Sequence, residues 1–429
     1  MYTRSSTDGI GQAAKAPTSS TSDRLLLLSE YESSEIELTV EQFERLSNRY
    51  RGKLDLGPGW QHGSYRLTAR DYVGRISLPG GRLLVIKPKV GVSNLFYMLS
   101  VGAGLVNFHA PPAGLSTSPD LFPLLVSSFL REVEGLLRGG LLTGYIAVEE
   151  DLGLIRGRID LRTQLEHHAN LKHRHACSYM EVTHDVAENR VVASTLAYLP
   201  YLLDGQDGSE LLRESRALLR RLLGVTTVSR STALETVERL TVHRLNTRYE
   251  IALGFCKLLL SHLSLDDEVG PHGFPSFLVS MPRLFERFVT AKLRALLPAY
   301  GLRAVSQRQD FLDEANTISI RPDVLIYRKG ASSPCLVLDT KYRILEVGDV
   351  NRDLYQMNAY LDGYSLACGV LVYPRHAREA RTGIRLRNTL KRLHIATLDL
   401  SAAPVDLIED GCRDLAAYVA GLVLGEAAT

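Results

Sequence analysis

Cysteine is scarce here and never paired: Cys177, Cys256, Cys335, Cys368 and Cys412 are scattered, with no C-x-x-C among them. That spacing excludes a disulfide framework and a zinc ribbon, and reduced thiols in a cytosol fit it best. Neither sign of charge dominates. The 50 Lys and Arg residues stand against 48 Asp and Glu, so no large positive field surrounds the molecule, and affinity for nucleic acid must come from local patches or a partner. Long apolar runs are missing too. The best candidate, residues 95–108, is broken by polar residues and falls short of a membrane span. Residues 1–23 are rich in Ser, Thr, Ala and Gly and lack the apolar core of a signal peptide, so they read as a flexible tail. Together these absences predict a cytoplasmic protein with no membrane contact. A phosphate loop of the form G-x-x-x-x-G-K-[ST] is absent as well, which predicts that this chain binds no nucleotide.

What is present is an ordinary globular composition, 45% apolar and 23% charged, on a chain long enough for two or three domains. Residues 24–92 are short alternating runs broken by Gly and Pro, which predicts a β-rich module with one short helix at 40–50. Residues 93–242 shift to a period near 3.6, with amphipathic runs at 121–137, 189–203 and 210–223, interrupted by strand candidates at 145–148 and 157–161. Residues 243–429 alternate between the two periods. A helix at 282–297 precedes strands at 302–311, 318–327 and 335–342; a helix at 350–364, a buried strand at 369–374, a strand at 394–400 and a final helix follow. The predicted class is α/β, of the mixed α+β kind.

The chemistry sits at the ends of two of these strands. Asp323 precedes the apolar run 324–327, and Asp339-Thr340-Lys341 closes the run 336–338. Phosphodiester hydrolysis needs a water made nucleophilic and a sink for charge on the scissile phosphate, and a hard divalent cation held by carboxylates supplies both. Asp323 and Asp339, on neighbouring strands, can share one Mg²⁺, with Mn²⁺ as its substitute. Strand alternation turns Asp339 and Lys341 to one side, where the ammonium can orient water or offset charge. The same rule turns the Thr340 side chain away, leaving its backbone carbonyl as a metal ligand. Glu286, at the edge of the apolar face of the 282–297 helix, adds a third carboxylate for a second cation or a metal-bound water. Gln356 and Tyr360, four apart on one helix, share a face and can clamp the lysine or the DNA backbone.

The order Glu286, Asp323, Asp339-Thr340-Lys341 and Gln356-Met357-Asn358-Ala359-Tyr360 resembles the PD-(D/E)xK nuclease superfamily. More narrowly, Leu284-Phe285-Glu286-Arg287-Phe288-Val289, Asp339-Thr340-Lys341-Tyr342 and Asp353-Leu354-Tyr355-Gln356-Met357 are similar to the McrC family, the nuclease subunits of McrBC-type modification-dependent restriction systems. Arg156-Gly157-Arg158-Ile159 and residues 185–190 carry the likeness upstream, so it covers roughly residues 30–400. The resemblance implies a nuclease domain at 243–429, built on a central mixed sheet flanked by helices, that cleaves double-stranded DNA carrying methylated cytosine. It also implies that the N-terminal part, with the mostly helical 93–242 region, caps and stimulates a McrB-like AAA+ GTPase or ATPase hexamer whose separate domain recognises the modified base. Two alternatives compete: a self-sufficient repair or recombination nuclease, and a non-catalytic regulator of an AAA+ motor.

Weaker signals surround this core. Arg343, Arg375, Arg378 and Arg381 belong to the basic residues after the motif and its following strand, and are expected to contact DNA phosphates without reading sequence. Arg156 and Arg158, flanking Gly157, are expected to reach toward the motor. His167, His168, His173, His175, Cys177 and His184 lack any zinc spacing and are interleaved with Lys172 and Arg174, which favours a solvated basic surface. The lone Trp60 is expected in the core of the small module.

Overall fold

The computed structural model describes residues 25–61, 63–102, 120–167, 173–201, 203, 209–264, 276–343, 350–375, 382–402 and 405–425. Its first layer is a five-stranded sheet in the order Leu25–Ser29, Arg82–Lys87, Tyr72–Leu78, Ser276–Ser280, Leu263–Ser264. A three-stranded sheet, Ser33–Glu37, Ser64–Ala69 and Leu54–Pro58, lies against it around the helix Val40–Arg49. That helix starts on a capping box, in which Thr39 Oγ1 accepts from the Gln42 N–H and the Gln42 amide oxygen accepts from the Thr39 N–H. Leu46, Leu54 and Leu67 fill the small core between them. Trp60 does not join it. The ring is 83% exposed, because the Glu35 carboxylate holds the Trp60 N–H at 2.6 Å on the outward turn after Leu54–Pro58, and Arg66 stacks over the ring.

One strand ties the module to the rest of the chain. Ser276–Ser280 pairs antiparallel with Tyr72–Leu78 over five residues, from Ser276↔Ile76 to Ser280↔Tyr72. Gly74 makes the approach possible: its φ is +132°, and a Cβ there would stand 2.0 Å from the Phe277 carbonyl oxygen. Met281–Leu296, the helix carrying Glu286, begins where this strand ends.

The second large sheet has six strands in the order Leu302–Ser306, Val324–Arg328, Leu336–Thr340, Cys368–Pro374, Arg392–Leu398, Thr382–Arg385. It is mixed: Leu336–Thr340 pairs antiparallel with Val324–Arg328 and parallel with Cys368–Pro374. Alternate residues go to opposite cores. Val324, Ile326, Leu336 and Leu338 join the large core with helices Met281–Leu296 and Asp406–Gly425, while Leu325, Tyr327 and Val337 pack with Met357 and Leu361 of the helix Val350–Gly363. Both faces are covered, which is why these strands read as continuous apolar runs. The expected strand at 302–311 is shorter, ending at Ser306, because Gln307 takes a positive φ of 52°. Among the described residues the fold is a mixed α/β protein of eleven α-helices and several sheets, and no helix is long and apolar enough to cross a membrane.

Candidate active site

Asp323 immediately precedes Val324, whose register partner is Leu338, so Asp323 and Asp339 meet across the ends of the two central strands. Asp339 is 3% exposed and Lys341 Nζ lies 2.5 Å from its Oδ2. The Lys341 ammonium is the group that meets that buried oxygen. Burial raises the Asp339 carboxyl to about 7, and the Asp323 charge pushes the same way against the opposing pull of Lys341. The lysine is held from the other side. Its Nζ donates to Gln356 Oε1 at 3.0 Å, Gln356 Nε2 donates to Tyr360 Oη at 2.6 Å, and Tyr360 Oη donates to the Arg321 carbonyl at 3.4 Å. Burial and the two aspartates push the Tyr360 phenol up to about 12, which keeps its proton as a donor.

Thr340 departs from the expected alternation. Its hydroxyl donates to Asp323 Oδ2 at 2.6 Å and its N–H to the same atom at 2.7 Å, because the antiparallel pairing with Val324–Arg328 has ended at Val324↔Leu338 while the parallel pairing runs on to Thr340↔Val372, leaving the N–H free for the aspartate. Both bonds fall on Oδ2, leaving Oδ1 for a ligand. Glu286 stands at the rim, half-buried, where Gln307 Nε2 donates to its Oε1 at 2.5 Å. Burial raises its carboxyl, with the Asp323 charge adding to the shift. Gln307 is a residue that the sequence did not announce. Its side chain links Glu286 to Arg321, and its N–H donates to the Asp323 carbonyl at 3.0 Å. Asp353, which no sequence signal set apart, is buried and takes the Tyr373 hydroxyl at 2.6 Å as well as Arg343.

The constellation therefore gathers Asp323, Asp339, Thr340, Lys341, Gln356 and Tyr360, with Glu286 alongside. It does not close three carboxylates around one point. Among the described residues no three His, Cys, Asp or Glu side chains form a metal-holding group, since Thr340 occupies one Asp323 oxygen and Gln307 engages Glu286. The remaining donors still suit Mg²⁺, which keeps several waters and is bound through one or two carboxylates plus substrate phosphate oxygens. Asp323 Oδ1, which takes neither Thr340 bond, and the Asp339 carboxylate are the oxygens such an ion would meet.

The expected basic contacts are dispersed. Arg343 is drawn inward to Asp353, Arg375 follows the strand Cys368–Pro374 with its N–H on the Leu398 carbonyl, and Arg378 and Arg381 lie outside the described residues. Arg156 and Arg158 sit on an arm built from Gly144–Leu152, Arg158–Ile159 and His175–Thr183. The Arg156 guanidinium lies 4.0 Å from the Tyr179 ring centroid and 3.6 Å from Glu181, and the Arg158 side chain is exposed. Gly157 has φ +70° with Ser178 and Tyr179 against it, so only glycine lets the loop lie this close.

The sequence model of the McrBC 5-methylcytosine restriction system components matches residues 67–374, more than half of the chain. The chain belongs to the McrBC family. Among solved structures, a chain of the refined half-complex from the tetradecameric assembly of Thermococcus gammatolerans McrB AAA+ hexamers with bound McrC is similar over 92% of this chain and 100% of its own, with TM-score 0.63 and 18% identity. At that identity the likeness speaks for the fold. The cryo-EM structure of the Thermococcus gammatolerans McrBC complex matches over 63% of this chain and 87% of its own, with TM-score 0.45 and 18% identity. No curated protein matches.

Proposed function

We propose that this McrBC-family chain is the Mg²⁺-dependent endonuclease subunit of a type IV, modification-dependent restriction complex, and that it cleaves foreign DNA carrying methylated cytosine. The observation that carries the reading is Asp339: a buried carboxylate set between Asp323 and the Lys341 ammonium at the mouth of two strands. Asp323 and Asp339, with the Thr340 carbonyl, would hold the cation, and Glu286 would serve a second one or a bound water. A cation there activates water and absorbs charge on the phosphate. Lys341, fixed by Gln356 and Tyr360, supplies a positive charge at the position where the transition state becomes more negative. Because burial favours the protonated form of Asp339 and a ligating carboxylate must be ionised, metal affinity and cleavage should fall as the pH is lowered.

The partner is inferred from the family and from the neighbouring assembly, in which McrC is bound to McrB AAA+ hexamers. The arm bearing Arg156 and Arg158 exposes Tyr145, Ile146, Leu154 and Met180, which is apolar surface in search of a cover. It is the segment we assign to that motor, which would use GTP or ATP. In the complex with the motor, Asp339→Asn should lower cleavage of methylated plasmid by about 100-fold or more, the scale of losing one charge-stabilising group. Stimulation of the motor's nucleotide hydrolysis should persist as the control for folding. Cleavage at the parental rate would remove Asp339 from the chemistry.

A further inference from the structure

A cleft of about 760 Å³ lies between the N-terminal module, the helix Glu250–His262 and the helix Met281–Leu296. Its lining includes Glu286 and Gln307, so cleft and candidate site share a wall. On Met281–Leu296 the buried stripe is Phe285, Phe288, Val289 and Leu293. Arg283, Arg287, Thr290 and Arg294 recur three or four residues apart, which puts them on a different stripe that faces the cleft. Lys257 and Lys53 come from the other walls. Against these five cations the lining sets two carboxylates, Glu238 and Glu286. Among the described residues Arg283 and Arg287 have no ion-pair partner. Burial first, and then their charge, pushes the His262 imidazole down to about 4, so the ring is neutral and adds nothing to the cleft's charge at neutral pH.

Two buried hydroxyls in the lining are also unpaired. Ser276 Oγ and Thr290 Oγ1 have no hydrogen-bond partner, although their residues are 0% and 5% exposed. Leaving such a group unsatisfied costs about 1–3 kcal/mol. Guanidinia without an ion-pair partner among the described residues, Arg283 and Arg287, beside Arg294, which donates to Ser306 Oγ at 2.6 Å, match the oxygens of a phosphodiester chain. From Arg283 to Arg294 the helix advances about 16 Å at roughly 1.5 Å per residue. Along a duplex axis that spans four or five base steps at about 3.4 Å each. The volume is of ligand-pocket size, about 300–1,000 Å³, so it admits a stretch of one strand and not a whole duplex.

We propose that this cleft seats the backbone of one strand of the substrate DNA beside the scissile position, gripped by Arg283, Arg287 and Arg294 with Lys257 opposite; the assignment rests on the nuclease reading above. It differs from the basic residues after the motif, which lie on other elements. The test measures binding of the full chain to a fluorescein-labelled DNA duplex in EDTA, where no cleavage occurs, from about 50 to 200 mM salt. The triple variant R283A/R287A/R294A should bind at least about 10-fold more weakly, and the slope of log K against log salt should become shallower by about 2–3, one released phosphate contact per arginine. The triple lysine variant should recover most of both effects. Removing three exposed arginines elsewhere, R216A/R220A/R221A, should leave the slope unchanged. An unaltered slope in the first variant, or an equal loss in the second set, would overturn the proposal. Asp339→Asn should abolish cleavage without changing the slope, so a failed nuclease reading and a failed strand path give different results.

Discussion

At the scale of single residues, the site shows how burial and charge set protonation, and Glu30 repeats the lesson away from it. Glu30 is fully buried at the seam between the N-terminal module and the motif. The Lys89 N–H and the Tyr342 hydroxyl donate to its Oε2 at 3.3 and 3.4 Å, and Oε1 has no hydrogen-bond partner. Burial raises its carboxyl from the usual 4.5 to about 7. Folding therefore favours the protonated form. The stability this contributes is fully present below pH 4.5, declines as pH rises through 7, and is gone above it. The shift corresponds to roughly 3 kcal/mol. Glu30→Gln keeps a neutral side chain at every pH, so in urea unfolding it should match the parent near pH 4.5 and exceed it by up to that amount at pH 8. Equal stability at pH 8 would mean that Glu30 carries no such penalty.

At the scale of elements, the strand Ser276–Ser280 decides where the Glu286 helix begins, and its docking depends on Gly74. Alanine there would force a side chain into the left-handed region and against the Phe277 carbonyl, a strain of at least about 1–3 kcal/mol. Gly74→Ala should lower the melting temperature and weaken cleavage through displaced Glu286, whereas Gly57→Ala, with nothing near its Cβ, should do neither. An unchanged melting temperature for Gly74→Ala would show that the strand is not held this way. Much of this scale was legible beforehand. The runs around Val324, Leu336 and Val370 are apolar on both faces and short, which marks covered strands, and Asp339 and Lys341 fall at the end of one. The pairing of Ser276–Ser280 with Tyr72–Leu78 was not legible, since partners about two hundred residues apart leave no local pattern. Gln307 was hidden for a related reason: nothing in glutamine announces a positive φ, so 302–311 read as one strand. The bond from Thr340 to Asp323 was not legible because alternation along one strand says nothing of a carboxylate that reaches across from the end of its neighbour.

At the scale of the molecule, the region from 243 onward shares its core with what precedes it. Leu95, Phe96, Tyr97 and Leu99 of the helix Val92–Gly102 are buried in the same cluster as Leu284, Phe285 and Phe288. Tyr97 meets Phe288 edge-on at 5.6 Å, and Asn94 donates to the Leu400 and Ala402 carbonyls at 2.9 and 3.0 Å. Next to the motif, the Tyr31 hydroxyl donates to Asp71 and lies 3.2 Å from the Tyr342 carbonyl. Burying four such side chains is worth roughly 1.5–3 kcal/mol each, which together equals much of a domain's net stability of about 5–15 kcal/mol. A fragment of residues 243–429 would lose these contacts and the partner strand of Ser276–Ser280, so it should bind an apolar dye and unfold without a cooperative transition. Adding residues 1–242 in trans should restore the transition, because the missing surface is then resupplied. A fragment that melts cooperatively alone would show that the six-stranded sheet is self-sufficient. The seam with the N-terminal module would then be a docking contact instead of part of one shared core.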